Sequence, residues 1–160
     1  MAHIETVGTI RSPFTRIEDM PIQPAGAGDT RGSVVVENAY AEGVKDLSGF
    51  SHIYLLYLFH KAGQMSLKVT PFMDTVEKGV YATRSPLRPN HIGISIVRLL
   101  SVKENVLTIE GVDVLDHTPL IDIKPYIENF DRVENSTSGW MTADRDEVAK
   151  TRSDGRFGLK

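Results

Sequence analysis

The chain has 160 residues, enough for one domain with a real core and too few for a second independent one. At 41% hydrophobic and 24% charged it is neither disordered nor membrane-like, and the absence of cysteine excludes disulfides, zinc–thiolate sites and thiol nucleophiles. A net charge of −3 argues against coating nucleic acid through overall electrostatics and leaves only a local basic face; the short longest apolar run, 53–59, and the lack of a signal-like N-terminus predict a cytoplasmic protein outside the membrane.

Residues 3–10 alternate apolar and polar side chains and predict a first strand, closed by the turn at 11–13. The stretch 18–32 is a loop rich in proline and glycine, long enough to suspect a role. Its Gly26 and Gly28 follow Pro24, with no strand leading in and no third glycine at the required spacing, which excludes a dinucleotide fingerprint. Gln23 and Pro24 read better as a rigid ledge whose amide can meet a polar ligand. A second strand is expected over 32–37 and a short helix over 38–50. The continuous apolar run at 51–60 is expected to be a buried strand. Further strands are predicted at 67–72, 79–83, 91–103, 105–115 and 119–124. Many short strands without helical crossovers imply a mainly β, single-domain antiparallel β-barrel or tightly curved sheet.

After Tyr126 the pattern changes. Residues 128–140 are polar, and 142–150 predict a short charged helix with Asp144 and Glu147 toward its start and Lys150 at its end, as the helix dipole favours. The chain therefore divides into a barrel over 1–127 and a C-terminal extension over 128–160, packed on the barrel or on a partner subunit. Trp140, the lone tryptophan, is expected to anchor that extension.

Two polar segments punctuated by proline carry the candidate chemistry. In TRSPLRPN at 83–90, Pro86 and Pro89 exclude a regular helix and hold Arg84 and Arg88 on a stiff loop, a disposition suited to bidentate contacts with carboxylates or phosphates. In LDHTPLIDIKPY at 115–126, Asp116, His117, Thr118, Asp122, Lys124 and Tyr126 gather donors, acceptors and titratable groups.

The segments SPF at 12–14, QP at 23–24, FSHIYLLYLFHK at 50–61, GVYATRSPLRPNHIGIS at 79–95, DVLDHTP at 113–119 and DIKPY at 122–126 resemble the TsaA-like family, in register over about residues 6–126. That family includes the S-adenosyl-L-methionine-dependent tRNA methyltransferases called TrmO. The resemblance implies a non-Rossmann β-barrel methyltransferase, a homodimer with the cofactor near the subunit interface, and methylation of N6 of threonylcarbamoyladenosine beside the anticodon of tRNA. Carried over by position, it implies that S-adenosyl-L-methionine is bound by Gln23, Pro24, His60, Lys61, Arg88, Arg98, Asp116, His117, Thr118 and Pro119. Arg84 and Asn90 are then expected to meet the substrate. Asp122 is expected to accept the N6 proton, Lys124 to stabilise the ureido anion or grip the threonyl carboxylate, and Tyr126 to stack or hydrogen-bond. The chain departs from the family pattern twice, with His91 where RPNPIG has its second proline and His117 where LDGTP has glycine. A side chain at the glycine position is strained if the backbone there needs a positive φ.

Two other readings compete. A non-catalytic S-adenosyl-L-methionine- or RNA-binding barrel would keep the fold without the chemistry. A metal-dependent barrel would use His52, His60, His117, Asp113 or Asp116, but their spacing matches no ligand motif and no metal is expected.

Overall fold

Period-two alternation builds the interior. The computed structural model describes residues 2–22 and 27–158. Its strands are β1 (Gly8–Arg11), β2 (Arg31–Val36), β3 (His52–Leu58), β4 (Lys68–Val69), β5 (Lys78–Gly79), β6 (Ile92–Lys103), β7 (Val106–Glu110) and β8 (Thr118–Pro125). Six of them close a barrel in the order β1-β2-β7-β6-β3-β8, and β4 and β5 form a separate ribbon. Every pairing is antiparallel, with β8 closing onto β1 through Gly8 opposite Leu120 and Ile10 opposite Thr118. Along β6 the residues Gly93, Ser95, Val97 and Leu99 turn inward, while Ile94, Ile96 and Arg98 turn outward. Ile10, Val34, Ile53, Leu107, Ile109 and Leu120, all at 0% exposure, fill the centre. Each such side chain contributes about 1.5–3 kcal/mol by leaving water.

The mainly β barrel expected from the strand count is what forms, with local corrections. β3 is not buried on both faces: Ile53, Leu55 and Tyr57 point inward, whereas Tyr54, Leu56 and Leu58 are half-buried on the outside. Across the β3–β6 pairing Tyr54 lies opposite Ile96 and Leu56 opposite Ile94, so the two strands share an apolar outer face on which Ile94 is 46% and Ile96 41% exposed. In place of one helix over 38–50 there are two 3-10 segments, Asn38–Val44 and Leu47–Gly49, separated at Asp46 by a left-handed φ of 67°. The strand expected at 67–72 shrinks to β4 because Pro71 has no backbone donor to extend the ribbon. At 79–83 only Gly79 remains in a strand; the chain curls into a 3-10 turn at Val80–Ala82, where the Thr83 amide and hydroxyl both donate to the Val80 carbonyl at 3.1 and 2.8 Å. β7 ends at Glu110 instead of running to 115, since Gly111 turns the chain at φ 90°.

The segment 62–90 between β3 and β6 makes a small second cluster of Val69, Val80 and Phe157, flanked by Phe72 and Leu87. Phe157 comes from the C-terminal stretch, which is fastened at several points. The Gly63 amide donates to the Phe157 carbonyl at 2.8 Å, and Ala62 bridges Gly158. A Cβ at Gly63 would stand 2.5 Å from the Gly158 carbonyl oxygen, so this approach requires glycine. Trp140 Nε1 donates to the Ala82 carbonyl at 2.7 Å. Two short helices, α1 (Glu128–Asp131) and α2 (Arg145–Lys150), lie in the same stretch. Asp144 and Glu147 cap α2 reciprocally, each side chain accepting the other's amide. Among the described residues no helix is long and apolar enough to cross a membrane.

Leu107→Ala leaves a cavity at the barrel centre and is expected to lower the unfolding free energy by about 2–5 kcal/mol, measured by urea denaturation.

Candidate active site

One end of the barrel is formed by the end of β3, the start of β6, the start of β8 and the loop 111–117. There the 62–90 segment and the C-terminal stretch overhang it and enclose a cleft of about 730 Å³. That is the size of a small-molecule site, typically about 300–1,000 Å³. Gly93 makes room for its floor: a Cβ there would sit 2.4 Å from the Tyr57 ring and 2.7 Å from the Phe59 ring, which pack edge to face at 5.4 Å.

A polar chain crosses the floor. The Ser95 hydroxyl donates to Asp113 Oδ1 at 2.7 Å, and the Tyr57 hydroxyl lies 2.8 Å from Ser95 Oγ. A serine hydroxyl has one hydrogen, so Tyr57 is the donor in the second bond. Burial pushes the Asp113 carboxyl up to about 7, while the Ser95 hydrogen bond and the charge of Arg84 pull the other way. Burial likewise raises the Tyr57 phenol, and the nearby Asp113 carboxyl adds to it.

The loop 83–91 forms one wall and is stiffened by its own hydrogen bonds rather than by helix. The Thr83 hydroxyl accepts from the Ser85 amide and the Ser85 hydroxyl from the Leu87 amide, both at 3.1 Å, while His91 Nδ1 lies 2.8 Å from the Pro86 carbonyl oxygen. Arg88 Nη1 donates to the carbonyls of Thr83 and Ser85 at 2.9 and 3.3 Å, fixing its guanidinium over the cleft. His91 adopts φ 51°, a conformation closed to the proline that the family pattern has there.

Of the residues singled out in the sequence, His60, Lys61, Arg84, Arg88 and Thr118 line the cleft, as do Asp113, named there only as a metal candidate, and Trp140, named as an anchor. Desolvation, with help from Lys61 and His117, holds the His60 imidazole below its ordinary value. Asp116 lines an adjoining recess with His60 and Lys61, but its carboxylate is engaged by Arg11 Nε at 2.8 Å and the Ser12 amide at 3.1 Å. The hydrogen bond from Arg11 keeps that carboxyl below the usual range. His117 is exposed, with Nε2 3.4 Å from Asp116 Oδ2. The Thr118 hydroxyl donates to the Leu115 carbonyl at 2.6 Å, and Pro119 sits in the ladder opposite Thr9.

Other expected site residues stand apart from this cavity. Asn90 is exposed on the loop, and Arg98 projects from the outer face of β6, 3.8 Å from Glu110. Asp122 and Lys124 form a 2.9 Å pair on the outside of β8, opposite Leu56 and Tyr54, and Tyr126 lies 5.9 Å from the Tyr54 ring. Leu56, opposite Asp122, is itself among the residues lining the cleft. Gln23 and Pro24 lie outside the described residues. Among the described residues no group of three or more histidine or acidic side chains is placed to hold a metal ion.

Tyr57, on the floor, and Ser95, buried beneath it, escaped the sequence reading. Nothing in the sequence signals Ser95, because the isoleucines flanking it at 94 and 96 make it look like an outward residue, whereas the barrel buries it. The cleft as a whole offers basic side chains at the mouth, aromatic and aliphatic walls, and one partly exposed acid at the base. It suits a ligand with an anionic end and a flat or apolar body.

Residues 9–132 match the model of the tRNA-methyltransferase O N-terminal domain. A Pyrococcus abyssi protein named a probable S-adenosyl-L-methionine-binding protein is 50% identical over 94% of this chain and 82% of its own. The human tRNA (adenine(37)-N6)-methyltransferase is 34% identical over 82% of this chain. The crystal structure of TrmO from Pseudomonas aeruginosa superposes with a TM-score of 0.76 at 38% identity, over 89% of this chain. The chain spans only 31% of the human enzyme and 64% of the bacterial one.

His117 takes a left-handed φ of 65° where a histidine is strained. His117→Gly is expected to stabilise the fold by roughly 1 kcal/mol, read as a shift of the urea midpoint at unchanged slope.

Proposed function

Because the chain belongs to the tRNA-methyltransferase O family, we propose that it transfers the methyl group of S-adenosyl-L-methionine to N6 of the threonylcarbamoyl-modified adenosine at position 37 of tRNA. The observation that carries this reading is the cleft, where Lys61, Arg84 and Arg88 edge a floor and walls of aromatic and aliphatic side chains. Methyl transfer from a sulfonium is an in-line displacement, so the protein's main tasks are alignment and exclusion of water. Arg88 spends only Nη1 on the loop carbonyls, and its remaining N–H groups grip the cofactor carboxylate. The aromatic walls receive the adenine and the methylsulfonium, a cation favoured beside π faces. His60 and Lys61 border the cofactor, and Arg84 meets a tRNA phosphate or the threonyl carboxylate.

The apolar outer face of Tyr54, Leu56, Ile94 and Ile96 supports a homodimer. It is continuous with the cleft, since Leu56 and Ile94 belong to both. A second copy seated there covers the exposed isoleucines and encloses Asp122, Lys124 and Tyr126 beside the site. Lys124 then holds the threonyl carboxylate, with Asp122 orienting it at 2.9 Å and Tyr126 stacking near the base.

Calorimetric titration with S-adenosyl-L-methionine is expected to show saturable binding that Arg88→Ala weakens by about tenfold or more, the cost of one charge-assisted hydrogen bond. Incubation with tRNA carrying threonylcarbamoyladenosine is expected to add one methyl group by nucleoside mass spectrometry. Cofactor binding without transfer to that tRNA would favour the binding-module reading, in line with the name of the Pyrococcus relative. Ile96→Asp places a charge on the apolar face and is expected to convert a dimer to monomer in sedimentation velocity; a wild-type monomer refutes the homodimer.

A further inference from the structure

Transfer of a methyl group to an exocyclic nitrogen leaves one proton too many. As the N6–CH3 bond forms, the S–CH3 bond breaks and its electron pair returns to sulfur as a neutral thioether. N6 must at the same time lose its hydrogen to a base. The carbamoyl-substituted nitrogen has its lone pair delocalised, so early removal of that proton matters more than for a simple amine.

Three groups near the site can be weighed as acceptors. Asp122 lies outside the cleft and is engaged by Lys124 at 2.9 Å. Asp116 is gripped by Arg11 at 2.8 Å and by the Ser12 amide. Asp113 is different in place and surroundings: it lines the cleft, is partly exposed to it, and is held at Oδ1 by Ser95. We infer that Asp113 takes the N6 proton during methyl transfer, with Ser95 and Tyr57 positioning its carboxylate. This rests on the methyltransferase reading above.

The chain of donors fixes the direction. With Tyr57 donating to Ser95 and Ser95 to Asp113, both hydroxyl hydrogens point toward the carboxylate and steady its charged form. The groups facing Asp113 are Tyr57 from β3, Ser95 from β6 and Arg84 from the 83–91 loop; Arg84 is the only cation among them. Burial opposes the charge and leaves the carboxyl titrating at about 7, where a general base combines availability with strength. The active form is the deprotonated one, so the transfer rate rises with pH, is half-maximal at about 7 and levels off at higher pH.

The test is the single-turnover rate of methyl transfer to tRNA carrying threonylcarbamoyladenosine, at saturating S-adenosyl-L-methionine, from about pH 5.5 to about pH 8.5. Asp113→Asn is expected to lower the plateau rate by about 10²–10⁴-fold and abolish the rise near neutrality, with cofactor affinity by calorimetry unchanged. Ser95→Ala removes a donor to the carboxylate and is expected to move the rise to higher pH while Asp113 remains. A folded Asp113→Asn protein with the wild-type rate, or with the rise intact, overturns the assignment. If that variant does not fold, Ser95→Ala decides: an upward shift supports Asp113, and an unmoved profile overturns it. A wild-type protein that binds the cofactor but transfers no methyl group overturns the proposed function and this assignment together, a result distinct from an active wild type with an active variant.

Discussion

The short pairing between β1 and β8 closes the barrel, and the cleft floor takes its position from that closure. Gly8, Thr9 and Ile10 meet Leu120, Pro119 and Thr118, which pins the start of β8 at the barrel mouth. The loop before it must then bend over the open end, and the Arg11–Asp116 pair fastens its outer side. The arginine is half exposed, so water screens the attraction itself. Its value is geometric: Asp116 also accepts from the Ser12 amide, and its own amide donates to the Phe14 carbonyl at 2.8 Å. Between this clamp and the end of β7, Asp113 is left facing the cleft above Ser95.

Electrostatics divide along the same line. Some acidic side chains of the barrel wall are matched to neighbours: Glu110 lies between Arg98 and Arg31, at 3.8 and 4.0 Å, and Asp122 beside Lys124. These are exposed pairs of small energetic worth. The cleft itself is lined by Lys61, Arg84 and Arg88, with Asp113 as the acid among its lining residues. An acidic chain can thus present a basic opening, as the local face expected from the sequence requires.

How much of this was legible depended on which periodicity carried it. The β-branched run of 91–103 announced a strand but not its inward face, since its alternating isoleucines Ile94 and Ile96 turn outward and Gly93 and Ser95 turn inward, while the proline-bound arginine loop was readable as a stiff turn. β3 misled, because an unbroken apolar run looks the same whether its outer face meets a second layer of the same chain or remains half exposed. The Val80–Ala82 turn was hidden because Val, Tyr and Ala suit a strand, and Thr83 overrides them by folding its hydroxyl back onto Val80. Tyr57, Ser95 and Asp113 come together only through barrel register, the first two from the paired strands β3 and β6 and the third from the loop after β7. No local spacing encodes that meeting. Asp122 and Lys124 were conspicuous for their density of function, yet the register irregularity that skips Ile121 breaks the alternation set by Thr118 and Leu120 and turns them to the outside.

The fastening of Gly158 and Phe157 against Ala62 and Gly63 also orders events in time. During synthesis the last barrel strand, β8, is available once Pro125 has emerged, and the six strands can close around their core. Phe157, which completes the small cluster over the 62–90 segment, follows more than thirty residues later. A barrel closed before that point has an open mouth, with the aromatic floor bared to solvent. Only the arrival of the final wall converts it into an enclosure from which water can be excluded.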